Sequence, residues 1–435
     1  MKKLVALILA VVMLFSISAC GTTSSKGSAK DDKTVDTTKP VTIKVANYAI
    51  LEKGYEQFWT NVKKNFEAKY PNITIEWVTA PYGDILNQVV NMAGGGNKVD
   101  LMFGEMIWIP TLVDAGLAVP VKDVLSKEFV SDYYQNILDA HSIEGDVYGI
   151  PLYVSASVLY YNKNLFKLAG LDPEAPPKTY DEMLTMADKL SKLKTADGNK
   201  VYAFGQPTAS VSVVGSSLTA MVSNFGGQVM DKNGKLSVDN DGFKKAMEML
   251  KLLNEKGYNP QNAKPKDLRN LFALGQLAMY YDQTWGYNGI TSINPDAKNF
   301  IASAMPLKGG SGEGKTTLQA HSFIMMDNGA EKKEAVRKFV EYVVTPDVLS
   351  NYLKDITPAY PAKKSMEKMD AVVNNPILKG AVKSTEASIA VPLIPKLNDF
   401  NLELCSLAQA ITVNGKQVPQ AIDDFKASAT KILGK

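Results

Sequence analysis

From Val41 onward two periodicities alternate, and this alternation restricts the fold more than any other feature. VTIKVANYAI (Val41–Ile50) alternates apolar and polar residues before turning apolar, which predicts a strand. Tyr55, Phe58, Val62 and Phe66 then recur at helical spacing, and Pro71 closes that segment. ITIEWV (Ile73–Val78) predicts a second strand, Asp84 to Ala93 a helix ended by Gly94–Gly96, and VDLMF (Val99–Phe103) a third strand of buried type. Strand and helix in strict turn predict an α/β lobe with a largely parallel sheet.

The apolar, β-rich stretch Val147–Leu171, with Pro151 near its start, interrupts that rhythm. A second α/β series follows. It has a helix over Tyr180–Leu193, a strand near Val201–Phe204, and helices through Val211–Phe225, Gly242–Lys256 and Asp267–Ala273, then the strand LAMYYD (Leu277–Asp282). HSFIMM (His321–Met326) predicts a strand, and AEKKEAVRKFVEYVVTP a helix ended by Pro346. Two helices, LNDFNLELCSLAQAIT and VPQAIDDFKASATKIL, complete the pattern. A chain of 435 residues with this doubled pattern predicts two domains.

The first forty residues read as an address and a tether. MKKLVALILAVVMLFSISAC begins with Lys2 and Lys3, continues apolar from Leu4 to Phe15 and ends in small residues, the layout of a secretory signal peptide over residues 1–19. Its end, Ile17-Ser18-Ala19-Cys20, resembles the bacterial lipobox, so Cys20 is the expected lipidation site, a palmitate-type anchor. Residues 20–40 are rich in Ser, Thr, Lys and Asp and cannot bury a core, which makes them a flexible linker. The expected location is the extracellular face of a cell membrane, lipid-anchored. Two units of the formal +3 charge sit on the leader lysines, so no strong field for nucleic acid is left. Past the leader, no apolar run reaches the roughly 18 residues of a membrane span. The only other cysteine, Cys405, reads as a small buried apolar side chain.

Catalytic signatures are sparse. His141 and His321 lie far apart, and no HExxH, CxxC or G-x-S-x-G string occurs, so no metal, cofactor or catalytic residue is expected and the chain does not read as an enzyme. GGSGEGKTT (Gly309–Thr317) does satisfy G-x-x-x-x-G-K-[ST]. A phosphate-binding loop needs a strand before it and a helix N-terminus after it. Here Pro306 interrupts what precedes, and β-branched and apolar residues follow, so the string is expected to be a turn between extended segments.

Aromatic residues recur at strand ends: Tyr48, Trp77, Tyr82, Trp108, Tyr153, the Trp285/Tyr287 pair and Tyr360. In open α/β sheets ligands bind beyond the carboxyl ends of strands. Aromatic faces stack on sugar rings, while neighbouring polar groups satisfy the hydroxyls. Glu52, Asp84, Glu105 and Asp282 lie close in sequence to these aromatics.

Several strings carry a family resemblance: Tyr148-Gly149-Ile150-Pro151, Leu159-Tyr160-Tyr161-Asn162-Lys163, Phe166, Ala169-Gly170-Leu171, Pro176 to Tyr180, VDLMFGEMIWIPTLVDAGLAVPV, LGQLAMYYDQTW and HSFIMMDNGAEKKEAVRKFVEYVVTPD. Together these resemble the extracellular solute-binding proteins of ABC importers, the maltose-binding-like family 1. The resemblance implies a two-lobed periplasmic-binding-protein-like α/β fold with hinge strands and an interlobe cleft. It places hinges near Pro151–Ser155, Gln319–Ser322 and Thr357–Pro361. Lobe 1 is then 41–151 and 321–358, and lobe 2 is 152–320 and 359–435. It implies cleft contacts from Tyr48, Glu52, Tyr82, Asp84, Glu105, Trp108, Tyr153, Trp285 and His321; Asp282 and Tyr360 join them as strand-end residues. The expected function is capture of a carbohydrate, an oligosaccharide, for the permease subunits of an ABC importer, by a monomer that meets the membrane only through its lipid; with the lipobox, the resemblance implies a Gram-positive cell. Where maltose-binding relatives have aromatics in the penultimate helix, this chain reads NDFNLEL. Competing readings are a peptide, a polyamine or a modified sugar acid on the same scaffold, an exported glycoside hydrolase whose two carboxylates lie far apart in sequence, and a surface ATP-binding protein. Arginine occurs only at 269 and 337, which argues against anionic ligands.

Overall fold

A computed structural model describes residues 39–435, apart from 53, 232–233, 311, 376, 379–383, 385–386, 390 and 435. The leader, Cys20 and the linker up to residue 38 lie outside the described residues. The predicted βαβαβ start is present: strand Val41–Asn47, helix Glu56–Lys69, strand Ile73–Val78, helix Ile85–Gly94 and strand Leu101–Glu105. The three strands pair in parallel, Val41 opposite Ile73 and Val45 opposite Leu101.

The sheet is mixed rather than largely parallel. Strand Thr316–Met325 enters beside Leu101–Glu105 in antiparallel sense, with Glu105 opposite His321. It returns from the second lobe and so arrives from the opposite end. Strand Ile150–Asn162 pairs antiparallel with it from Ile150 to Ala156, with an irregularity between Pro151 and Tyr153. The same strand then pairs with Met279–Gln283 and Ile301–Ala304 over Ser157–Asn162. One continuous strand thus serves two cores. Tyr360–Pro361 joins its edge opposite Val154 and Tyr153.

The first core is aromatic. Trp59, Phe66, Phe103, Phe323 and Phe339 are fully buried together. The second collects Phe166, Tyr180, Phe204 and Phe243 with Phe400 and Phe425 from the two final helices, Leu397–Thr412 and Val418–Leu433. A smaller cluster holds Tyr160, Phe272 and Tyr280. Ala359, Ala362, Met366, Val372 and Leu378 pack in the first core, so this stretch beyond residue 358 sits against lobe 1, not lobe 2. His141 is buried beneath that core. Its Nδ1–H donates to the Ile137 carbonyl at 2.7 Å, and Nε2 accepts from the Ser322 hydroxyl at 2.8 Å.

Three local expectations change. Val201–Phe204 is not a strand, because its backbone bonds are divided: Tyr202 donates to Gln276 and Phe204 to Tyr258, leaving only isolated bridges. The helix after Met325 runs over Ala330–Val343, and Pro346 does not end it but opens a further helix, Pro346–Asp355, at a position where its missing N–H costs nothing. Strand Thr316–Met325 starts earlier than His321, inside the phosphate-loop look-alike. The described residues of that string form a packed turn that leads into the strand. Gly309 donates to Asn224 O at 2.7 Å and Lys315 N to Asn224 Oδ1 at 2.6 Å. A Cβ on Gly312 would lie 1.9 Å from Asn224 O and one on Gly314 2.2 Å from Pro306 O, so these glycines are required by close backbone approach. No helix N-terminus follows. Among the described residues no helix is long and apolar enough to cross a membrane.

Candidate functional site

Strand ends from both lobes open onto one cleft of about 850 Å³. The lobe 1 wall begins where strand Val41–Asn47 ends. Asn47 Oδ1 accepts from Ala49 N at 2.9 Å, turning the chain into the 3-10 turn Tyr48–Leu51 and setting Tyr48 at the cleft edge. The Glu105–His321 strand pair supplies the floor. With a carboxylate opposite, His321 Nε2 donates to Glu105 Oε1 at 2.7 Å, and Nδ1 accepts from the Tyr153 hydroxyl. The Tyr82 hydroxyl donates to the same Glu105 oxygen at 3.3 Å, and Tyr48 Oη lies 3.2 Å from both ring nitrogens. Burial first, then the Glu105 charge, pushes the Tyr48 and Tyr82 phenols well above their ordinary range, so both stay neutral hydrogen-bond donors.

Trp285 reaches this floor from the other lobe. It follows strand Met279–Gln283, precedes helix Gly286–Ile293, and stacks on His321 with ring centroids 5.2 Å apart at 23°. Its edge meets Tyr153 at 6.0 Å. Beside it, Arg269 of helix Pro265–Ala273 grips Asp282 through Nε (2.8 Å) and Nη2 (3.0 Å). Asp282 also accepts from the Tyr280 hydroxyl at 3.0 Å and the Gln283 amide at 2.8 Å. Gly286 and Gly289 make room for this pair, since a Cβ at either would fall within 2.5 Å of Asp282 or Arg269.

Of the residues singled out in the sequence, Tyr48, Glu52, Tyr82, Glu105, Asp282, Trp285 and His321 line the cleft. Asp282 does so with its oxygens already committed. Trp108 and Tyr153 are buried behind the wall, Trp108 against Tyr48 and Tyr82, and Tyr153 stacked on Tyr352. Asp84 is exposed before helix Ile85–Gly94, and the Tyr360 hydroxyl donates to Leu378 O; neither lines the cleft. The four acids therefore form no cage for a cation: Asp84 is elsewhere, and Asp282 and Glu105 are bonded to Arg269 and His321.

Sequence reasoning missed Gln283 and Gln319, which also line the cleft. The alternation along their strands offered a signal, because Gln319 stands two residues before His321 on the same face. It missed the second-lobe wall too. The helix Leu397–Thr412 turns Phe400 and Leu404 into the second core and supplies nothing to the cleft; helices Pro265–Ala273 and Gly286–Ile293 take that place.

Residues 48–349 match the family of bacterial extracellular solute-binding proteins. The chain belongs to this family. A binding protein of Brucella abortus is 28% identical over 91% of this chain and 93% of its own length. The arabinooligosaccharide-binding protein of Bacillus subtilis is 25% identical over 69% of this chain and 67% of its own. Among solved structures, an ABC transporter solute-binding protein of Thermotoga lettingae bound with α-D-tagatose superposes with a TM-score of 0.79, covering 91% of this chain and all of that one, at 24% identity. That likeness shows the two-lobed α/β fold. Such solute-binding proteins hold their ligands without transforming them. Among the described residues no group of His, Cys, Asp and Glu is placed to hold a metal.

Proposed function

We propose that this solute-binding protein captures a carbohydrate between its lobes and delivers it to an ABC importer. One observation carries the reading: Trp285, carried by the end of strand Met279–Gln283, stacks directly on His321 in the lining of the cleft, amid Glu105, Gln283 and Gln319. An indole face beside several hydrogen-bonding groups is the chemistry that sugar rings demand. The relatives that bind arabinooligosaccharides and tagatose support the ligand class. The cleft volume, high in the roughly 300–1,000 Å³ range of small-molecule sites, favours more than one ring. The ligand-facing set is Tyr48, Glu52, Tyr82, Glu105, Trp285 and His321. Hinges fall where residues 153–155, 319–321 and 360–361 run side by side, and closure buries the ligand, which shifts the open–closed population. The lipobox at Cys20 anchors the protein outside the membrane.

Thermal unfolding of the purified chain against mono- and oligosaccharides, polyamines and Mg-ATP tests this. A raised midpoint with one sugar class, the sugar recovered uncleaved, is expected. A shift with polyamines or Mg-ATP alone, or cleaved sugar on recovery, overturns it. Trp285→Ala should weaken the responding sugar roughly tenfold or more in Kd. An unchanged Kd would remove the stacking role.

A further inference from the structure

The free charge in the cleft is positive, although the sequence led one to expect acids. Three carboxylates line it. Asp282 is spent on Arg269, and Glu105 on His321 and Tyr82, which leaves Glu52. Against these stand Lys264, Lys266 and Lys354. Lys264 and Lys266 flank Pro265 at the first turn of helix Pro265–Ala273, and Lys354 lies in the last turn of helix Pro346–Asp355. Among the described residues none of the three ammonium groups is paired with a carboxylate. Asp267, on the same helix as Lys266, is turned to the Lys264 backbone amide at 2.9 Å. Arg269 stands one turn further along, with Nη1 outside its pair with Asp282.

We propose that the ligand is an acidic carbohydrate whose carboxylate or phosphate is held by Lys264, Lys266 and Lys354. The inference rests on the carbohydrate reading and adds the sign of the ligand's charge. The scarcity of arginine removes bidentate clamps, but an ammonium is a point charge that needs no planar partner. Three unpaired cations in a cleft walled by protein focus a field that raises the local concentration of anions. The neutral end of the ligand meets Trp285 and the Glu105–His321 floor, while its charged end meets helix Pro265–Ala273, whose N-terminal dipole adds in the same sense.

The test offers the purified chain three pools in native mass spectrometry: neutral oligosaccharides from arabinan, galactan and dextran hydrolysates, acidic ones from pectate and hyaluronate hydrolysates, and hexose phosphates. The acidic or phosphate pool should be retained, and which of the two tells carboxylate from phosphate. Titration of the retained sugar should show affinity falling with added salt. It should fall about tenfold or more in the K264Q/K266Q/K354Q variant, whose exposed substitutions leave the cores intact. Retention of the neutral pool alone, or unchanged affinity in the triple variant, overturns the charge inference and leaves the carbohydrate reading standing. No retention from any pool overturns both.

Discussion

Asp282→Ala should cost about 3–5 kcal/mol of stability, the usual penalty for breaking a buried ion pair from one side. The Asp282 side chain is 4% exposed and Arg269 22%. Burial works to lower the Arg269 pKa, but the Asp282 charge and hydrogen bonds outweigh it and hold the guanidinium more firmly protonated than usual. Without Asp282 a mostly buried cation, the Tyr280 hydroxyl and the Gln283 amide would all lose an acceptor. Asp282→Asn keeps acceptor capacity but not charge, and should fall between wild type and Ala. The Asp282→Leu/Arg269→Met pair should lose less than the sum of its single changes, because it leaves no orphaned charge. Urea unfolding of the Ala and Asn variants, the double variant and its two single components measures this; an Ala variant within about 1 kcal/mol of wild type would show that the pair contributes little.

Acid should remove about 3 kcal/mol through His141 alone. Its imidazole, wholly buried, is pushed down from 6.5 to about 4 by burial, against the raising effect of its bond to Ile137. A folded pKa below the unfolded one means that the unfolded chain binds the extra proton between those values. Stability from this group is therefore complete above about 6.5 and lost as pH falls towards 4. Carboxylates add their own losses at low pH, so the test is a difference. Stability of wild type and His141→Gln is followed from pH 7.5 to 4, and the wild type should show the steeper fall. Parallel curves would mean that His141 takes up no linked proton.

Most of the architecture was legible because the alternating strands and helices bury one face each. Ile73–Val78 is the strand that its pattern predicts, and the two final helices begin and end where their apolar spacing does. The sense of strand Thr316–Met325 was not legible, since antiparallel entry depends on a return from a distant lobe that local periodicity does not encode. In the site, Tyr48, Trp285 and His321 could be found because strand ends and hinge strings mark them. The fate of Asp282 could not. An acid beside aromatics looks the same in sequence whether it faces ligand or Arg269, thirteen positions away on another element. The cleft lysines were hidden for the opposite reason: Lys264 and Lys266 sit in an ordinary polar stretch, and only the placement of their helix gives them a role.

The long-range composition of the cores bears on how the chain is made. The first core needs Phe323 and Phe339 beside Trp59, and the second is sealed by Phe400 and Phe425 against Phe243. A polypeptide emerging N-terminus first can therefore finish neither core until most of its length is out. Contacts of such sequence separation fold slowly. An unfinished chain therefore carries apolar surface that it cannot yet bury, and that exposure lasts until helix Val418–Leu433 has arrived.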